Sequence, residues 1–284
     1  GSRHDGSLDA DGRPAAWPLN TRGPYEKRDS MIDLKGKVVL ITGGATGLGA
    51  DLAELCLTLG GRVALLDIAE DLVRATEQRL GENTLGLHCD ISDEQSVRDA
   101  VVMAIGRYGR IDALVNNAAF TETTHDLDLL STDLAVWDRT MAVNLRGTML
   151  VSRAVVPHMI EQRDGAIVTM VSRAGVAPPR SGRRLAYSTS KAGLIMLARH
   201  IAVTYGKQGV RSNAVAPGTV QTERMLATLS EERLAQSRGN VLTPYLGEPA
   251  DISRMTAYLI SDAGRYITGQ CIQVDGGVLS YLNE

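Results

Sequence analysis

The stretch Lys37-Val38-Val39-Leu40-Ile41-Thr42-Gly43-Gly44-Ala45-Thr46-Gly47-Leu48-Gly49-Ala50-Asp51-Leu52 changes character twice. Val38–Thr42 is a short, largely β-branched apolar run, the composition of a strand covered on both faces. A glycine-rich turn follows at once. Leu52, Leu55, Cys56 and Leu59 then fall at i, i+3, i+4 and i+7, one face of a helix, and Gly60-Gly61 end it. Strand, tight turn and helix in immediate succession open a βαβ unit.

Working outward, the alternation repeats. Further strands are expected at Arg62–Asp67, Thr84–Cys89, Ala113–Asn116, Ala166–Val171, Arg211–Val215 and Cys271–Val274, with helical periods between them. The expected class is α/β, built on a parallel sheet and running from Met31 to Glu284 as one domain, a length that a single core supports. Residues 1–30 are rich in Gly, Pro, Asp and Arg, lack periodicity and read as a tail, either a native extension or, given the Gly-Ser opening, a cleavage scar. Thr222 to Pro244 is the one irregular insertion in the body; Met225, Leu226, Leu229 and Leu234 among its charges suggest an amphipathic lid or, equally, packing core.

Composition excludes several classes. A net charge of -3, with 30 basic and 33 acidic residues interspersed, leaves no stripe for a nucleic acid. No apolar run suits a bilayer span, and no secretory leader is visible, so a soluble cytoplasmic protein without a membrane partner is expected. Cys56, Cys89 and Cys271 are isolated, read as buried reduced thiols, and the five histidines form no ligand-like pair; no metal is expected.

The turn Thr42 to Gly49 sits where a strand hands over to a helix. Glycines there allow positive φ and close approach of a pyrophosphate, and the helix N–H groups face its charge. Gly43, Thr46, Gly47 and Leu48 are the candidate phosphate contacts; the plainer alternative is an ordinary tight turn. Asp67 closes the second strand, the position from which a carboxylate reaches the adenosine ribose hydroxyls. It would repel a 2′-phosphate, and Ala45, Thr46 and Ile68 offer no compensating cation, which points to NAD over NADP. Asp67 as a simple helix cap is the competing reading.

Ser172 closes the fifth strand, and Tyr187-Ser188-Thr189-Ser190-Lys191 opens a helix, putting Tyr187 and Lys191 at i and i+4 on one face. An ammonium beside a phenol favours the phenolate and suits it to proton transfer at neutral pH. A serine hydroxyl in reach of a carbonyl oxygen orients it and steadies developing charge. A Tyr-x-x-x-Lys pair by itself is more often a solvated helix face.

Taken together, the turn Thr42-Gly43-x-x-x-Gly47-x-Gly49, Asp90, Asn116-Asn117-Ala118-Ala119, Asn144, Ser172, Tyr187-x-x-x-Lys191 and Pro217-Gly218 resemble the short-chain dehydrogenase/reductase family from about Leu34 to the end. The resemblance implies a single-domain Rossmann fold, a doubly wound seven-stranded parallel sheet with helices on both faces, assembled as a homo-oligomer, a tetramer or else a dimer. It implies Tyr187 as general acid/base, Ser172 as its substrate-orienting partner, Lys191 as ribose ligand, and Asn144 in a water-linked proton relay. Asp90 and Ile91 would line the adenine pocket, and Asn117 would support the central strand and cofactor. Pro217, Gly218, Val220 and Thr222 would cover the nicotinamide, while Asn116 stays structural. Two departures stand out: Ala119 replaces the family's usual glycine, and the interval from Ser172 to Tyr187 is longer than usual.

The expected activity is NAD-dependent hydride transfer between nicotinamide and a small secondary alcohol or ketone, in either direction. The alternatives are an NADPH-dependent 3-oxoacyl reductase acting on a carrier or coenzyme A ester, and a non-catalytic NAD-binding protein. Arg173, Arg180, Arg183 and Arg184 gather near the mouth of the site, either to meet an acidic substrate or as solvated loop charges.

Overall fold

The computed structural model describes residues 32–278 apart from Leu229, so the reading of residues 1–30 as a tail lies outside the described residues. Seven strands, β1 (Val38–Thr42), β2 (Arg62–Asp67), β3 (Thr84–His88), β4 (Ala113–Asn116), β5 (Gly165–Met170), β6 (Val210–Pro217) and β7 (Cys271–Val274), form one sheet in the order β3-β2-β1-β4-β5-β6-β7. Every pairing is parallel. Three strands differ by one or two residues from the expected bounds, the margin at which ladder hydrogen bonds give way to turns.

Between the strands run α1 (Gly47–Thr58), α2 (Glu70–Leu80), α3 (Glu94–Tyr108), α4 (Leu134–Thr140), a π-helical turn (Met141–Gly147), α5 (Thr148–Gln162), α6 (Arg173–Val176), α7 (Leu185–Tyr205), α8 (Glu223–Thr228), α9 (Glu231–Gly239) and α10 (Pro249–Ile260). They cover the sheet on both sides. One core layer joins β1, β2 and β4 to α3 and α5 through Leu40, Leu66, Leu114, Val101 and Val155; the opposite layer joins them to α1 and α10 through Ile41, Leu65, Val115, Leu52 and Ile252. Burial on both faces is why the strands read as continuous apolar runs rather than alternating ones.

The strand order reverses between β1 and β4. Connections from these two neighbours leave in opposite directions, and the resulting crevice at their C-terminal ends is where doubly wound sheets take ligands. No helix among the described residues is long and apolar enough to cross a membrane. The insertion after β6 folds as two short helices, α8 and α9. Leu234 is buried as packing core, Leu226 is exposed, and Leu229 lies outside the described residues.

Candidate active site

The glycine turn after β1 shows two different steric demands. A Cβ on Gly49 would lie 2.1 Å from the Gly43 carbonyl oxygen, and one on Gly43 (φ +63°) would lie 2.9 Å from Ala118 Cα. Both glycines are therefore set by close backbone packing. Gly47 (φ +55°) has nothing within 4 Å of its Cβ direction, so the turn presents an open backbone surface at the N-terminus of α1, shaped for an approaching phosphate. Thr46 is the N-cap of α1 and uses no side-chain capping bond, and Leu48 packs against the core.

Asn117 fastens this turn to β4. Its Nδ2 donates to the carbonyls of Thr42 (3.1 Å) and Gly43 (2.9 Å), while Thr42 Oγ1 accepts from the N–H groups of Asn117 and Ala118, both at 3.0 Å. Asn116 is buried and donates to Ser152 Oγ at 3.1 Å. At the end of β2, Asp67 accepts from the N–H of Ala45 (3.1 Å) and of Ala69 (3.0 Å), so the carboxylate braces the glycine turn and the start of α2 together. Among the described residues no cation pairs with Asp67. Asp90 accepts from Ser92 N–H (2.8 Å) and Oγ–H (2.6 Å). Burial works to raise its pKa, but the Ser92 bonds and the guanidinium of Arg139 prevail and hold it low. Ile91 is buried in the core against Gly147.

The second cluster forms around the N-terminus of α7. Tyr187 and Lys191 share one face there, the Lys191 Nζ lying 5.6 Å from the Tyr187 ring centroid. Lys191 is 2% exposed and donates to the Met170 carbonyl at the end of β5, 2.7 Å away. Burial, reinforced by the neighbouring charge of Arg184, lowers its pKa from 10.5 to about 8. Ser172 follows β5 and caps the short helix α6, its Oγ accepting from Ala174 N–H at 3.2 Å. This turn presses against α7: a Cβ on Gly175 would lie 2.7 Å from Lys191 C. Only glycine lets the Ser172 turn approach the Lys191 turn so closely.

Asn144 is fully buried within the π-helical turn, a feature that re-aims side chains and is frequent at functional sites. Its Oδ1 accepts from Phe120 N–H (2.7 Å) and its Nδ2 donates to Phe120 O (3.1 Å) and Ser190 Oγ (3.2 Å). The Ser190 hydroxyl in turn donates to the Tyr187 carbonyl at 2.7 Å. Asn144 is thus tied to the helix that carries Tyr187. After β6, Gly218 lies so close to β7 that its Cβ would be 2.6 Å from Asp275 Cα. Pro217 ends the strand, Val220 bridges to Gly247, and Thr222 Oγ1 accepts from Met225 N–H at 3.3 Å. Among the described residues no cluster of three or more His, Cys, Asp or Glu is placed to hold a metal ion.

Sequence reasoning missed Asp126. This carboxylate, 1% exposed, accepts from Ala186 N–H (2.9 Å) and Tyr187 N–H (3.0 Å), capping α7 from a distant segment. Its own loop is pinned by Glu122, which accepts from the N–H groups of Thr124, His125 and Asp126; those bonds, His125 first, hold the Glu122 carboxyl at about 2.

Comparison with known proteins bears on this geometry directly. A family model described as enoyl-(acyl carrier protein) reductase matches residues 43–279. A probable short-chain type dehydrogenase/reductase of Bradyrhizobium diazoefficiens is 40% identical over 89% of this chain and 90% of its own length. The 7alpha-hydroxysteroid dehydrogenase of Bacteroides fragilis is 36% identical over 87% and 96%. Among solved structures, levodione reductase superposes with a TM-score of 0.80 at 31% identity, covering 87% of this chain and 99% of that one. The chain belongs to the short-chain dehydrogenase/reductase family and is an oxidoreductase.

Proposed function

We propose that the chain is an NAD-dependent dehydrogenase of secondary alcohols, working equally as a ketone reductase, with Ser172, Tyr187, Lys191 and Asn144 as its catalytic set. One observation carries the reading: Tyr187 and Lys191 share the first turns of α7, and Gly175 lets the Ser172 turn pack directly on that helix. The residues present fit a nicotinamide dinucleotide. Gly47 offers an open, positive-φ backbone for the phosphates, Asp67 offers an acceptor for ribose hydroxyls, and Asp90 with the Ile91 backbone would face the adenine. Asn117 supports the glycine turn, and Pro217, Gly218, Val220 and Thr222 would close over the nicotinamide end.

A nicotinamide held by these residues would supply the hydride acceptor for a carbinol carbon or the hydride donor for a ketone. The chain's own residues handle the proton and the oxygen. In oxidation Tyr187 Oη removes the hydroxyl proton, leaving a ketone and a tyrosine phenol; in reduction it returns that proton to the new alkoxide. Ser172 Oγ donates to the substrate oxygen and holds it in line. Lys191 supplies positive charge beneath Tyr187, and Asn144 anchors the route by which the proton leaves through water.

The unpaired Asp67 carboxylate supports NAD, since a 2′-phosphate about 4 Å from it meets about 4 kcal/mol of repulsion per unit charge at an effective dielectric constant of ~20. Two copies, or two pairs, would meet through an open apolar hollow of about 380 Å³ lined by Met141, Ala142, Leu145, Met149 and Leu197, with Arg146 at its edge. The names of the relatives span a steroid and a diketone, so they leave the substrate to experiment. Titration with NADH and with NADPH, followed by nicotinamide fluorescence, tests the reading. Preference for NADH supports it, preference for NADPH favours the 3-oxoacyl reductase alternative, and binding of neither removes it.

A further inference from the structure

Position 184 holds the wrong kind of residue for its place. A helix N-cap is ordinarily Ser, Thr, Asp or Asn, whose own oxygen receives the first free N–H groups. At α7 that duty falls to Asp126, and the N-cap is Arg184, in the left-handed region at φ 70°, ψ 41°. A non-glycine residue stays there only where its surroundings fix it. They do: Arg184 N–H donates to the Asp126 carbonyl at 3.0 Å and Leu185 N–H to the Leu127 carbonyl at 3.2 Å.

The side chain so placed lies on the Tyr187 ring, its Cζ 3.9 Å from the ring centroid. Its Nε is buried and has no hydrogen-bond acceptor, and among the described residues no carboxylate pairs with its guanidinium. Asp126, the acid nearest in the fold to this helix end, has both oxygens committed to the Ala186 and Tyr187 N–H groups. Lys191 adds a second, buried cation to the same helix face. By contrast, Arg183 already donates to the Thr123 carbonyl at 3.3 Å, and Arg180 is exposed in the loop. Arg184 is thus an oriented cation, its Nε without an acceptor among the described residues, held directly against the Tyr187 ring.

We propose that Arg184 is the specificity-determining residue of this site and binds a carboxylate carried by the substrate a few bonds from its carbinol or ketone carbon. The inference rests on the proposed hydride transfer at Tyr187. A guanidinium stacked by its face keeps its edge donors free, and that planar fork matches a carboxylate. Among the described residues the two terminal nitrogens of Arg184 have no protein acceptor, and they, rather than the buried Nε, are the donors a substrate carboxylate meets. The substrate class is then a short hydroxy acid and its oxo acid, since the guanidinium and Tyr187 are in contact.

The test uses the full chain with NADH and a panel of 2-, 3- and 4-oxo acids of four to six carbons, each beside its ethyl ester, with cyclohexanone as a neutral control. For at least one acid we expect kcat/KM to exceed that of its ester roughly ten- to a hundredfold, the ratio one charge-assisted bond sustains. In Arg184→Met that ratio falls to near one, and Arg184→Lys retains part of it. Because the ratio is read on one protein sample, partial misfolding does not imitate the effect. A ratio near one in the unaltered chain, an equal loss on acid and ester in Arg184→Met, or no turnover of any acid overturns the proposal. Cyclohexanone reduction without acid preference removes only the carboxylate subsite, whereas absence of nicotinamide binding removes the hydride-transfer reading itself.

Discussion

Lys191 carries a charge in a place that burial makes costly, and replacing it with methionine exposes that cost. The unfolded lysine holds its proton to about 10.5 and the folded one to about 8. That gap amounts to about 3 kcal/mol at ~1.4 kcal/mol per pH unit. Below pH 8 both states are protonated and the native state bears the whole penalty. Between pH 8 and 10.5 the unfolded chain binds the extra proton, so stability rises with pH. Methionine leaves the Met170 carbonyl without its 2.7 Å donor, a loss of about 1–3 kcal/mol that does not vary with pH. The informative quantity is the difference between the two proteins. Urea unfolding at pH 7, 8, 9 and 10, at one fixed protein concentration and without nicotinamide, should show the unaltered chain gaining roughly 2–3 kcal/mol on Lys191→Met between pH 7 and pH 10. A difference that stays flat across that range would refute the reasoning, because a lysine with an ordinary pKa contributes no slope there.

Three further substitutions probe other parts. Asp126→Ala leaves the Ala186 and Tyr187 N–H groups uncapped; it should cost about 2 kcal/mol, roughly 4–8 °C in Tm, with kcat falling more than nicotinamide affinity, as paired thermal and kinetic measurements would show. Asp67→Ser removes the charge facing the ribose and should shift the NADH-to-NADPH affinity ratio toward NADPH by about a hundredfold or more, read by fluorescence titration. Leu197→Glu places a carboxylate in the apolar hollow beside Met149 and Leu145; light scattering should report a smaller assembly, and an unchanged mass would move the interface elsewhere.

Strands β1, β2, β4 and β5 were legible because they are buried on both faces, and the residues proposed as a catalytic quartet stood out because their types and order are so particular. What the sequence concealed acts over long separations. Asp126 caps a helix 61 residues further on, and no periodicity joins an acid in one loop to the N–H groups of another element. Arg184 read as one of several loop arginines, since its position against Tyr187 depends on that remote cap. Gly175 carries no signature of its own in the sequence, since its demand arises only from the close packing of α7, and the π-helical register around Asn144 leaves no compositional trace. The segment from Thr222 to Pro244 has amphipathic spacing, but only three-dimensional packing divides its apolar residues between core and surface.

Tyr187→Phe tests proton transfer most directly, because it removes one oxygen and little else. NADH affinity should stay within about threefold of the unaltered chain, while turnover of a secondary alcohol with NAD falls about a hundred- to ten-thousandfold, the range a general acid–base residue contributes. Turnover that survives the substitution, or a parallel collapse of NADH binding, would contradict the assignment of Tyr187 as the group that moves the proton.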